Sequence, residues 1–150
     1  MIQIKKIDSY PTYSKILPKQ LNGMMCPLWK DYDEVKIVPR MVYAISILPR
    51  TVKGPYCHTK RRGLLCLIQG KAVFVYKSPE EDQFHVKEMD SKESLMMIEI
   101  PKNLEYAIIG LGAQESLFVN ICDYPFIPGD NETTIPNFGG YDFSKWMKKQ

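Results

Sequence analysis

The chain has 150 residues, 45% of them hydrophobic and 25% charged, and 20 basic against 17 acidic side chains leave a net charge of +3. That length suits one domain, the apolar share allows a buried core and excludes a disordered composition, and the charge is too mild to argue for nucleic acid. No apolar run reaches the roughly eighteen residues of a membrane span, and the opening MIQIKKIDSYP carries no apolar leader stretch, which points to the cytoplasm.

In chain order, residues 2–7 alternate loosely and predict a first strand. Pro11 and Pro18 interrupt the residues after it. Residues 23–29 are apolar but include Pro27, which suits an edge strand or a loop. Residues 30–34 read as a polar turn and 35–38 as a short strand. Residues 41–48, MVYAISIL, give a strong strand signal between Pro39 and Pro49. A turn over residues 50–54, closed by Gly54-Pro55, leads into a polar and aromatic patch of Tyr56, Cys57, His58, Lys60, Arg61 and Arg62. Next come two apolar runs, 64–68 and 72–75, separated by Gln69-Gly70. They predict a hairpin of paired strands with the reactive side chains at its mouth.

Beyond a polar loop at 78–82, residues 83–88 alternate. Phe84 and Val86 share one face, His85 and Lys87 the other; His85 is read as solvent-facing and without a role. Residues 95–100, 106–109 and 116–122 predict three more strands, with Pro101 stopping the first of them. Residues 124–140 are rich in Pro, Gly, Asn and Asp and read as loop. Residues 142–149 predict one short helix, capped by Asp142 and with Lys148 and Lys149 at its C-terminal end.

Some eight short strands with frequent turn signals and no helical period predict an all-β sandwich or barrel. The predicted organisation is one domain over 1–150: N-terminal strands and loops (1–40), a barrel core (41–123), and a loop and tail (124–150). Cys26, Cys57, Cys66 and Cys122 form no CxxC pair and read as buried or weakly reactive thiols. The eight Met residues, Trp29 and Trp146 read as packing.

With His58 placed beside the two apolar runs, the chain resembles a cupin, a double-stranded β-helix or jelly-roll barrel. The cupin first motif runs Gly, His-x-His, Glu, Gly; the same spacing here gives Gly54, Tyr56-Cys57-His58, Gly63 and Gly70. The second motif keeps its Pro at Pro101, places Tyr106 at its His, and places Gly110 at its Asn. Metal-binding cupins would use the positions of Tyr56, His58, Gly63 and Tyr106, which leave one nitrogen ligand, so no metal and no other cofactor is expected. Cys57 and Cys66 joining His58 as soft ligands is the alternative.

The stretch VKGPYCHTK at 52–60 is similar to the metal-free cupins that act on nucleotide sugars, the relatives of dTDP-4-dehydrorhamnose 3,5-epimerase and of dTDP-4-keto-6-deoxyhexose 3,4-ketoisomerase. FVNICDYPFIPGDNETTIPNF at 118–138 looks like that group's Asn, Tyr-x-Pro and Asp/Glu ending. The resemblance implies a homodimer and a nucleotide-sugar substrate; from the charge and the lack of an apolar span, no nucleic-acid or membrane partner is expected. It departs where the group's base His is Tyr56 and where its Tyr before the Tyr-x-Pro loop reads Phe118-Val119-Asn120.

Moving a proton next to a carbonyl needs a base near neutral pKa and donors for the developing enolate. His58, with Tyr56 two residues away on the same strand face and Tyr106 expected from the facing sheet, is the candidate set. Lys53, Lys60, Arg61 and Arg62 are candidates for a pyrophosphate, and Asn120 and Tyr124 for sugar hydroxyls. These residues allow three readings: an epimerase or ketoisomerase, a sugar- or nucleotide-sugar-binding module, and a scaffold whose barrel holds no ligand.

Overall fold

The computed structural model describes residues 2–31 and 37–148. Among them twelve strands form: β1 (Gln3–Lys6), β2 (Tyr10–Tyr13), β3 (Leu21–Met25), β4 (Met41–Ile47), β5 (Val52–His58), β6 (Gly63–Gln69), β7 (Lys71–Lys77), β8 (His85–Asp90), β9 (Met96–Ile100), β10 (Glu105–Leu111), β11 (Ser116–Cys122) and β12 (Thr133–Thr134). The chain is all-β. One antiparallel sheet has the order β1-β9-β6-β11-β4 and the other β12-β5-β10-β7-β8, while β2 and β3 pair only with each other. The described strands make two facing sheets rather than one closed barrel.

The predicted hairpin of β6 and β7 does not form. β6 lies between β9 and β11 in one sheet, and β7 between β10 and β8 in the other. Both runs are apolar at nearly every position, the mark of central strands covered on both faces, and each needs a partner on either side. Gly70 turns the corner between sheets at φ +104°, where a Cβ would lie 2.5 Å from Ser116 Oγ.

The sheets face each other through Leu65, Leu67, Ile98 and Phe118 on one side and Ala72, Phe74, Tyr106 and Ile108 on the other. Each leucine, isoleucine or phenylalanine among them contributes about 1.5–3 kcal/mol by leaving water. The outer face of the first sheet is covered by Ile7, Cys26, Leu28 and Ile37, packed on Leu64, Cys66 and Ile121. The outer face of the second is covered by Phe138, Tyr141, Phe143 and Trp146, packed on Val73, Val75, Ala107 and Ile109. Both tryptophans are packing residues: Trp29 Nε1 donates to the Ile37 carbonyl at 2.9 Å and Trp146 Nε1 to the Tyr141 hydroxyl at 2.7 Å.

Three further expectations change. The C-terminal helix is only a 3-10 turn, Ser144–Trp146, because the tail lays its aromatic residues flat on the sheet; Asp142 still accepts from the Ser144 amide at 2.9 Å. In β8 the inward face is that of Met89, which is buried, while Val86 is exposed. His85 therefore stacks on Tyr76, with ring centroids 5.2 Å apart, rather than facing solvent alone. Of the short strand predicted at 35–38, residues 35 and 36 fall outside the described residues, as do 32–34 of the preceding turn and Lys149, and Ile37 and Val38 are not in a strand. No helix of the described residues is long and apolar enough to cross a membrane.

Candidate functional site

β5 and β10 pair with a register shift. Cys57 faces Glu105 and Tyr56 faces Tyr106, but Lys53 then faces Ile108 and Val52 faces Ile109. Two steps along β10 meet three along β5, so one extra residue is absorbed at Gly54-Pro55. The turn predicted there is a bulge inside a strand, at a proline that has no amide hydrogen to donate and a glycine at φ +100°. Strict alternation would send Lys53 to the opposite face from Tyr56 and His58. The bulge turns all three into one cleft of about 420 Å³, which opens between β4 and β5. Tyr43 and Ile45 of β4 form the opposite wall, Tyr106 lies beside His58, and Phe126, 72% exposed, stands at the mouth.

Tyr56, His58 and Tyr106 do converge, with ring centroids 5.8–6.2 Å apart. Tyr106 comes from the neighbouring strand of the same sheet and not from the facing one, because β10 inserts between β5 and β7. His58 is 4% exposed and every polar neighbour is defined. Its Nε2 lies 2.9 Å from the Tyr106 hydroxyl and 3.0 Å from Arg61 Nη2. A guanidinium can only donate, so Nε2 accepts and the imidazole proton sits on Nδ1. Nδ1 lies 3.0 Å from Thr133 Oγ1 and 3.4 Å from Glu132 Oε1. Thr133 in turn donates to Glu132 Oε1 at 2.9 Å. A carboxylate behind one imidazole nitrogen fixes the ring as a base is fixed, and His58, Arg61, Tyr106 and Thr133 all line the cleft.

Burial first, and the Arg61 guanidinium second, lower the His58 pKa from 6.5 to about 4, against the pull of Glu132. His58 is therefore neutral at pH 7. The unfolded chain protonates this ring near pH 6.5 and the folded chain only near 4, so its contribution to stability is complete above 6.5 and is lost as pH falls through 6.5 to 4. The loss is roughly 3 kcal/mol at 1.4 kcal/mol per pH unit. Urea unfolding at pH 7 and pH 4 measures it: His58→Gln is expected to show a correspondingly smaller acid loss than the wild type, and equal losses would contradict the assignment. Burial also raises the hydroxyl pKa of Tyr106 and of Tyr43.

Tyr43, Glu132 and Thr133 are site residues that the sequence reading does not single out. Alternation in MVYAISIL places Tyr43 on the inward face with Met41, Ile45 and Ile47, a signal that could have found it. Nothing local distinguishes Glu132 in its polar loop. Asn120 pairs with Tyr43 across β11 and β4, and its Nδ2 donates to the Tyr43 hydroxyl at 2.8 Å. Asn120 is buried behind the cleft wall and does not line the cleft. A Cβ on Gly63, where the cupin motif has Glu, would lie 2.8 Å from Asn120 Oδ1, so a side chain there would displace Asn120.

The basic residues divide. Lys53 lines the cleft and makes no ion pair among the described residues. Arg61 lines it too, but lies 3.2 Å from Glu132 Oε1, near enough for an ion pair and off the line for a hydrogen bond. Lys60 is bound to Asp130 at 2.5 Å and Arg62 to Asp123 at 3.0 Å, both beside the cleft. Tyr124 donates to Asp130 and does not line the cleft either. Cys66 packs in the outer core, where burial pushes its thiol up to about 12, far from partnership with His58. No group of three His, Cys, Asp or Glu among the described residues is placed to hold a metal ion.

This fold, with its polar cup between two antiparallel sheets, is shared with solved structures of nucleotide-sugar isomerases and epimerases. In particular, the chain is similar to a dTDP sugar isomerase from Desulfovibrio desulfuricans, with a TM-score of 0.79 at 17% identity over 95% of this chain and 90% of that one. It is also similar to the sugar 3,4-ketoisomerase QdtA from Thermoanaerobacterium thermosaccharolyticum in complex with TDP (TM-score 0.68, 14% identity, 97% and 93% covered). A third is the dTDP-6-deoxy-D-glucose-3,5-epimerase RmlC from Legionella pneumophila in complex with dTDP-4-keto-L-rhamnose (TM-score 0.70, 13% identity, 92% and 73% covered). At these identities the likeness is one of fold. No protein-family model matches the chain, and no curated protein does.

Proposed function

We propose that the chain is an isomerase that moves a proton next to the keto group of a dTDP-linked 4-keto-6-deoxy sugar, in deoxysugar or surface-polysaccharide synthesis. The observation that carries this is His58 in the cleft lining, with Nδ1 backed by Glu132 and Nε2 accepting beside Tyr106 and Arg61. In the step, Arg61 turns from Nε2 to the keto oxygen, which removes one cause of the lowered His58 pKa, and the freed Nε2 takes the proton from the carbon beside the carbonyl. The C–H electron pair moves to form the enolate, and the charge on oxygen is met by Arg61 and the Tyr106 hydroxyl. Return of the proton to the opposite face of that carbon gives the epimer; its return to the former carbonyl carbon, with the neighbouring hydroxyl proton passing to the enolate oxygen, gives the keto isomer. Lys53 is the cleft cation left to meet a phosphate. Tyr56, in the place of the relatives' base, lines the wall beside the sugar.

A second reading has its own observation. Arg61 Nη2 stands 3.0 Å from Nε2, on the lone pair that a base must use. Where Arg61 stays in place, the chain binds a sugar or nucleotide sugar and does not turn it over. Incubation with dTDP-4-keto-6-deoxyglucose in deuterated buffer separates the readings. Exchange of the hydrogens beside the keto group supports the isomerase, tight binding without exchange supports the binding module, and no binding rejects both.

The same reading takes the chain as a cytoplasmic homodimer. Its support is the β2–β3 hairpin, which pairs with no other strand among the described residues and leaves Tyr13, Leu21, Met24 and Met25 more than half exposed. An exposed apolar set of this kind marks an interaction surface. Leu21→Ser with Met25→Ser is expected to convert a dimer to a monomer in analytical ultracentrifugation; a wild type already monomeric would contradict the assignment.

A further inference from the structure

The basic run after β5 meets its carboxylates one for one. Lys60 Nζ lies 2.5 Å from Asp130, Arg61 Nε 3.2 Å from Glu132, and Arg62 Nε 3.0 Å from Asp123. Three successive cations thus hold three acids of a single returning segment, residues 123–132. Further bonds tie the same segment. The Arg62 amide donates to Asp123 Oδ1 at 2.7 Å, the Thr59 amide to the Glu132 carbonyl at 2.9 Å, and the Tyr124 hydroxyl to Asp130. The segment ends in β12, which has only two residues and pairs Thr133 with His58 and Thr134 with Cys57. So short an edge strand holds little by itself. Yet Glu132 and Thr133 are the groups that face His58 Nδ1.

We propose that Asp123 and Asp130 are positioning residues, clasped by Arg62 and Lys60 so that Glu132 stays against His58 Nδ1 and Nε2 stays the accepting imidazole nitrogen. The inference goes beyond the proposed isomerisation and does not depend on the substrate. It gives Lys60 and Arg62 work other than binding pyrophosphate. The clasp has two tiers. Lys60 and Arg62 side chains are 47% and 39% exposed, whereas Arg61 and Glu132 are 12% and 7% exposed. Exposed pairs are screened by salt and the buried pair is not. High salt therefore loosens the outer clasp first.

The charged and titratable groups around His58 are Arg61 and Glu132, Tyr56 on its own strand, Tyr106 on β10, and beyond Arg61 Tyr43 on β4 and Cys122 on β11. With the clasp open, water reaches the ring and Glu132 is no longer fixed at Nδ1. Water at the ring raises the His58 pKa toward that of an ordinary imidazole; loss of Glu132 pulls the other way, but burial is the larger cause and its relief sets the direction.

Long-range nitrogen–proton NMR of the full chain tests this without any substrate. The wild type is expected to show the Nδ1-protonated signature and an acid-shifted titration. Asp123→Asn with Asp130→Asn is expected to mix the tautomers and raise the titration midpoint by about one pH unit or more. The charge-swapped pair Lys60→Asp with Asp130→Lys, made in the wild type, is expected to keep the wild-type signature. Molar sodium chloride is expected to shift the wild-type midpoint upward. A double asparagine variant with the wild-type signature and midpoint would overturn the proposal, because β12 pairing alone would then set Glu132. Should that variant not fold, a wild-type midpoint indifferent to salt would overturn it equally.

Discussion

Replacing His58 with alanine is expected to lower deuterium exchange beside the keto group by about 10³-fold, the scale of a lost general base. The binding of dTDP alone is expected to change little, because Lys53 and the apolar wall of Tyr43, Ile45 and Phe126 remain. Arg61 and Glu132 still face each other in the variant, so no buried charge is stranded by the change. Tyr106→Phe is expected to have a smaller effect, since it removes one of two donors near Nε2 and leaves the base. Exchange that survives in His58→Ala would move the chemistry to another residue, with Tyr56 the next to test.

Gly110→Ala is expected to cost about 3 kcal/mol, the upper range for overpacking a filled site. A Cβ at Gly110 would lie 2.3 Å from the Leu48 carbonyl oxygen and 3.0 Å from its carbon, both backbone atoms that cannot rotate away. The same glycine accepts from the Arg50 amide at 2.8 Å and donates to the Thr51 carbonyl at 3.1 Å. It therefore anchors the corner through which β4 passes into β5, the two strands that wall the cleft. Urea unfolding measures the loss, and a variant as stable as the wild type would contradict the close approach. Gly110 matches the Asn of the cupin second motif by spacing alone; the structure supplies the local reason for a glycine.

Strand positions are the most legible part of the chain, because short apolar runs between Pro, Gly and polar turns are a local signal. The strand predicted over 116–122 coincides with β11, and 41–48 overlaps β4 along its whole length. Partnership is not legible. β6 and β7 are adjacent in sequence across a glycine, and only the sheets they complete show that they do not pair. The bulge at Gly54-Pro55 looks like a turn, since the same residues serve both. Within the site, Tyr56, His58 and Tyr106 can be brought together from period-two spacing and motif resemblance. Arg61 reads with its neighbours as one basic run, yet it points inward while Lys60 and Arg62 point to acids some seventy and sixty residues away. Glu132 lies beyond reach because its role depends on a return of the chain over the same span.

The most direct test of the central claim is a crystal structure of the chain soaked with dTDP-4-keto-6-deoxyglucose. The prediction is a sugar ring in the cleft between β4 and β5, a carbon beside the keto group about 3–3.5 Å from His58 Nε2, and Arg61 turned from that nitrogen to the keto oxygen. A sugar bound elsewhere, or in the cleft with Arg61 still standing between the ring and Nε2, would contradict it.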